Sequence, residues 1–90
     1  MAERRVVIAS GVGLHARPAA LFTQAAAKAP VPVLIGKVGE PGVDARSILS
    51  VLGLNAQHGQ EVVLTADGEG ADGALDELAA LLATDLDAAG

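Results

Sequence analysis

A chain of 90 residues, 51% of them apolar, suits one domain with one core, because at this length only about two-thirds of the unfolded surface is buried on folding. One phenylalanine with no tryptophan or tyrosine offers no aromatic platform for bases or sugars, and a net charge of −5 from eleven acids and six scattered bases gives no basic track for a phosphate backbone, so nucleic acid is not an expected partner. The absence of cysteine removes disulfides and thiolate metal ligands and fits a reducing compartment, so residues 1–90 are read as a single cytoplasmic domain.

The opening "MAERRVVIASGVG" carries two arginines in the manner of a secretory signal, but Ser10, Gly11 and Gly13 interrupt its apolar run. No segment approaches the roughly 18 apolar residues of a membrane span, so a soluble protein without membrane insertion is expected. "RVVIA", residues 5–9, is short and β-branched and reads as a first strand. Pro18 fits the first turn of a helix whose apolar stripe is Phe22, Ala25, Ala26 and Ala29, and which should stop before Pro30. "PVPVLIGKV", residues 30–38, is a second strand with both prolines near its start, where a missing amide matters least. "GEPG" is turn chemistry, followed by a short edge strand around Val43 to Ala45.

Ser47 can cap a short apolar helix, "ILSVLGL", that Gly53 or the Asn55 region ends. "NAQHGQ" is a loop. "EVVLTA", residues 61–66, alternates Val62, Leu64 and Ala66 against Glu61, Val63 and Thr65, as a half-buried strand does. After the loop "DGEGADG", a last helix places Leu75, Leu78, Ala79, Leu82 and Leu86 on one stripe, with Asp76, Glu77, Asp85 and Asp87 on the solvent side. The order β-α-β-β-α-β-α predicts an α+β domain in which helices cover one face of a sheet.

The most informative stretch is "GVGLHARPAA", residues 11–20. A helix beginning near Ala16 or Arg17 puts His15 at its N-cap, where the first amides have no intrahelical partner and the dipole end is positive. Such an end suits an anion; Gly11 and Gly13 allow close backbone approach, and Arg17 offers a fork of donors for phosphate oxygens. The same positive end works against imidazolium, leaving a neutral ring able to attack phosphorus, and the resulting phosphohistidine would face free amides and a guanidinium. Spacing alone is equally compatible with a solvated histidine ahead of an ordinary helix.

"GLHARPAA", residues 13–20, resembles letter for letter the active-site signature of the histidine-containing phosphocarrier (HPr) family of the bacterial phosphoenolpyruvate-dependent sugar phosphotransferase system. "ARSILSVLGL", residues 45–54, is similar to that family's regulatory serine and partner-binding short helix, so the likeness covers essentially the whole chain. The resemblance implies an open-faced β-sandwich, a four-stranded antiparallel sheet with three helices on one side. It implies that His15 takes a phosphoryl group from phosphorylated enzyme I and passes it to a sugar-specific enzyme IIA, with Arg17 and the amides of Ala16 and Arg17 as the cradle. Ile48, Leu49 and Leu52 would form an apolar docking patch rimmed by Arg17, Gln24 and Arg46, and Ser47 would be a site for a serine kinase. Arg46 stands where the family usually has lysine, and Val12 where relatives commonly carry Asn or Ser. A protein of this kind is a carrier rather than an enzyme, needs no cofactor or metal, and is expected as a monomer.

His58 has no ligand partner at metal spacing and reads as a solvated loop residue; Asp67 and Glu69 are loop acids between glycines, not a catalytic pair. Two other classes remain open on the sequence. One is a regulatory module whose phosphorylation state at His15 or Ser47 is read by a regulator; the other is an anion-binding module that never becomes covalent.

Overall fold

A computed structural model of the chain describes residues 1–84. Its elements run β1 (Ala2–Val7), α1 (Ala16–Ala27), β2 (Val33–Lys37), β3 (Val43–Asp44), α2 (Ile48–Gly53), β4 (Glu61–Ala66) and α3 (Ala71–Leu82). Asp85, Leu86 and Asp87, expected on the last helix, lie outside the described residues.

The four strands form one antiparallel sheet in the order β1-β4-β2-β3. Alternation sets its two faces: Val62, Leu64 and Ala66 of β4 are buried, while Glu61 is exposed and Val63 and Thr65 are partly so. Pairing continues the inward row sideways, Val6 opposite Val62 on β1 and Ile35 opposite Leu64 on β2. Against that row the helices contribute Phe22, Val51, Leu75 and Leu78, each with at most 2% of its surface exposed. Phe22 is the largest of the fully buried side chains, so a core otherwise built from small aliphatics closes around one ring. The expected open-faced sandwich with three helices on one side is the observed architecture.

Element boundaries differ from the sequence expectation where the edges use polar residues. β1 begins at Ala2 rather than Arg5 because Glu3 and Arg5 belong to the open face, with Arg5 lying 3.9 Å from Glu3 and 3.7 Å from Glu61. It ends at Val7, after which the Ile8 amide donates to the Gln60 carbonyl and the Ala9 amide to Leu82. β2 is shorter than expected, starting at Val33 once both prolines are passed. α3 starts inside the segment read as a loop: Gly70 takes a left-handed conformation (φ 88°), and Ala71 and Ala74 are buried in the first turns that follow.

Arg4 points to the helix side of the edge strand, and its Nε and Nη2 donate to Asp76 (2.8 Å) and Asp72 (3.1 Å) of α3. Asp76 is therefore an anchor for β1 rather than only part of a solvated face. Among the described residues no helix is long and apolar enough to cross a membrane.

Candidate functional site

The histidine motif is shaped by backbone before any side chain acts. The Gly13 amide donates to the Ser10 carbonyl (2.9 Å), closing a tight turn, and the Leu14 amide donates to the Ala56 carbonyl (2.8 Å). Gly13 is required twice over: its φ is +77°, and a Cβ there would lie 2.6 Å from the Ala56 oxygen. Leu14 is then fully buried, which fixes the chain immediately before His15.

His15 is the N-cap of α1 with extended backbone (φ −134°, ψ 170°), and its carbonyl accepts from the Ala19 amide at 3.3 Å. Its side chain makes no capping bond, so the half-buried ring is not engaged by the helix it precedes. Ala16 follows at φ +48°, the left-handed region that costs a residue with a Cβ roughly 1–2 kcal/mol. Pro18 has no amide to offer, and the Ala16 and Arg17 amides find no protein acceptor among the described residues. The helix start therefore presents two free donors, a positive dipole end and, one residue on, the exposed Arg17, which makes no ion pair among the described residues. That arrangement can hold an anion of phosphate type next to an available imidazole.

Gln24 is exposed seven residues after Arg17, on the same side of α1. α2 packs against α1 and carries Ile48, Leu49 and Leu52 with 40%, 80% and 36% of their surface exposed, while Val51 alone of this helix is buried. A helix of six residues has one inward position to fill, and the other large side chains stay in solvent. Val12 is also exposed and adds apolar surface on the site loop instead of a hydrogen-bonding group.

Ser47 is the N-cap of α2, its hydroxyl accepting from the Ser50 amide at 3.3 Å. Arg46 is committed to a neighbour: its Nε and Nη2 meet the two oxygens of Asp44, both at 3.1 Å, and its amide donates to the same carboxylate at 2.9 Å. These bonds, the side-chain pair first, hold the Asp44 carboxyl below its ordinary value of 3.8. Arg46 is thus less available to a partner surface than its position on the rim of the patch suggests.

Two features of the site escape a reading of the sequence. The left-handed Ala16 has no signature, because alanine there is indistinguishable from alanine in an ordinary first turn. His58, expected to be a solvated loop residue, is exposed, yet its Nδ1 lies 3.1 Å from the Ser10 carbonyl, 48 positions away in the chain. Elsewhere, a shallow depression of about 460 Å³ lined by Lys37, Val38, Glu40, Gln60 and Glu61 holds none of the motif residues.

Comparison with known proteins bears on the family and the fold. The family model described as the PTS HPr component phosphorylation site matches residues 2–84. The phosphocarrier protein HPr of Streptomyces coelicolor is 53% identical over 87 residues, covering 97% of this chain and 94% of that one. A crystal structure of the phosphocarrier protein HPr from Bacillus anthracis superposes with a TM-score of 0.84 at 37% identity, covering 90% of this chain and 95% of that one. The Bacillus subtilis catabolite-repression protein Crh, solved as a dimer with a swapped domain, superposes at 0.73 with 38% identity, covering 94% and 97%. With a family model matching residues 2–84 and similarity in sequence and backbone over nearly the full length of such relatives, the chain belongs to the HPr phosphocarrier family of the phosphotransferase system.

Proposed function

We propose that this protein carries a phosphoryl group on His15 between phosphorylated enzyme I, charged from phosphoenolpyruvate, and a sugar-specific enzyme IIA in the cytoplasm. The observation that carries the reading is the imidazole at the start of α1, followed by two amides and the Arg17 guanidinium, all without a protein partner among the described residues. A ring-nitrogen lone pair forms a bond to phosphorus while the bond to the donor breaks and its electron pair stays with the donor. The phosphoryl oxygens then face the Ala16 and Arg17 amides and the Arg17 fork, which offset the added charge. Transfer to the acceptor reverses these steps, so the protein is a reactant in each half-reaction and turns over no small molecule of its own.

Ile48, Leu49, Leu52 and Gln24 supply the docking surface in this reading. The patch is small, as a carrier that must release each partner quickly requires. Incubation with enzyme I and phosphoenolpyruvate, followed by intact mass measurement, tests the proposal: one acid-labile phosphoryl adduct is expected on the wild type and none on His15→Ala. A wild type left unmodified by an enzyme I that charges another carrier contradicts it.

Ser47 favours a second role. It opens the helix that carries the apolar patch, and its relative Crh is a catabolite-repression protein, so phosphorylation of Ser47 by a serine kinase would place a dianion beside the docking surface and disfavour enzyme I.

A further inference from the structure

The segment Ala56–Gln60 runs beside the segment Ile8–Leu14 and is tied to it at successive points. The Ile8 amide donates to the Gln60 carbonyl, the Gly59 amide to the Ile8 carbonyl and the Leu14 amide to the Ala56 carbonyl, at 2.9, 2.9 and 2.8 Å. These ties are backbone to backbone and available to any sequence that adopts the loop. Between them, the His58 ring reaches the Ser10 carbonyl at 3.1 Å. That oxygen already accepts from the Gly13 amide, so the ring bears on the turn that sets the direction of Leu14 and His15. Ser10 has only 3% of its surface exposed and its hydroxyl has no partner among the described residues, so none of them lets its side chain brace the turn from within.

The loop that presents His58 is itself stiffened. Asn55 sits at φ +52°, the Gln57 side chain donates to the Asn55 Oδ1 at 2.6 Å, and the Gln57 amide donates to the Gln60 Oε1 at 2.8 Å. A carbonyl oxygen only accepts, so this contact is a hydrogen bond in the tautomer whose proton is on Nδ1. We propose that His58 is a positioning residue for His15, its Nδ1–H holding the Ser10–Gly13 turn against the 56–60 loop so that the phosphoryl-accepting ring is presented in a fixed direction. The proposal rests on the carrier reading of His15 and adds a second histidine that never meets the phosphoryl group.

The test combines the free protein with the transfer reaction. Nitrogen-15 spectra of the unphosphorylated protein should show His58 as its Nδ1–H tautomer. His58→Ala should speed hydrogen exchange at the Gly13 amide and slow phosphoryl acceptance from enzyme I, each by about fivefold, the scale of one lost hydrogen bond. His58→Asn, whose Nδ2–H can occupy the place of the ring Nδ1–H, should restore both, which a role in general stability would not do. An Nε2–H tautomer overturns the proposal, and so does a His58→Ala protein with unchanged Gly13 exchange and unchanged transfer rate. A wild type that accepts no phosphoryl group overturns the carrier reading and the rate effect with it, while the tautomer and the Gly13 exchange still decide the tie between the loops.

Discussion

At the scale of single residues, Arg17 and Ser47 separate chemistry from stability. Arg17 is exposed and unpaired among the described residues, so its removal takes nothing from the core. Arg17→Ala should melt as the wild type does, yet slow phosphoryl acceptance about tenfold to a hundredfold, matching the roughly 1.5–3 kcal/mol of a hydrogen bond to a charged group. Stopped-flow transfer beside a thermal melt checks both halves; a variant that transfers at the wild-type rate removes Arg17 from the cradle. Ser47→Ala loses the cap of α2 and should cost about 1 kcal/mol, a fall in Tm of about 4–8 °C. Ser47→Asp keeps an acceptor for the Ser50 amide and should hold its Tm while transfer from enzyme I slows. Equal transfer rates in Ser47→Asp and wild type would detach this position from docking. The N-cap positions of His15 and Ser47 were legible because N-cap chemistry is local; the left-handed Ala16 and the His58 tie were not, one having no residue signature and the other joining positions 48 apart.

At the scale of elements, α2 and the turn before it carry opposite demands. Leu49 is 80% exposed and Val51 fully buried on the same six-residue helix. Leu49→Ala should change stability by less than about 0.5 kcal/mol and raise the concentration of enzyme I needed for half-maximal transfer. Val51→Ala should cost about 2 kcal/mol through two lost methyl groups and a cavity. Urea melts and transfer titrations on the pair distinguish a docking patch from mere packing; a Leu49→Ala protein with unaltered titration contradicts docking at that position.

Asp44 makes the entry to α2 sensitive to acid. Its carboxyl is held below 3.8 chiefly by the Arg46 side chain and then by the Arg46 amide, so its contribution is present above the unfolded value and is lost as pH falls through the lower folded value. The group is exposed and the effect accordingly small. Comparing urea midpoints at neutral pH and at about pH 3, Asp44→Asn should lose less stability than the wild type; an identical acid limb would show that the pair contributes nothing. Helix α3 shows where element boundaries elude sequence: Gly-rich "DGEGADG" reads as loop, yet Gly70 supplies a left-handed turn that lets Ala71 and Ala74 begin the helix.

At the scale of the whole molecule, the sheet sets the register on which the site depends. β4 lies between β1 and β2, and the chain entering it, residues 56–60, is the one that splints the His15 loop. The alternation of "EVVLTA" and the stripe through Phe22 were enough to foresee a sheet covered on one face, because those periods report burial directly. The β1-β4-β2-β3 order is a long-range property to which periodicity is blind: family resemblance implied four antiparallel strands, and their order emerges only in the folded chain. The central claim is that phosphoryl groups pass through this protein rather than stop on it. The most direct measurement supplies labelled phosphoenolpyruvate, enzyme I and an enzyme IIA and follows label onto the last with wild type, with His15→Ala and with no carrier. Label should reach enzyme IIA only in the presence of wild type; label that accumulates on wild type without moving on, or that arrives equally well with His15→Ala, contradicts the account.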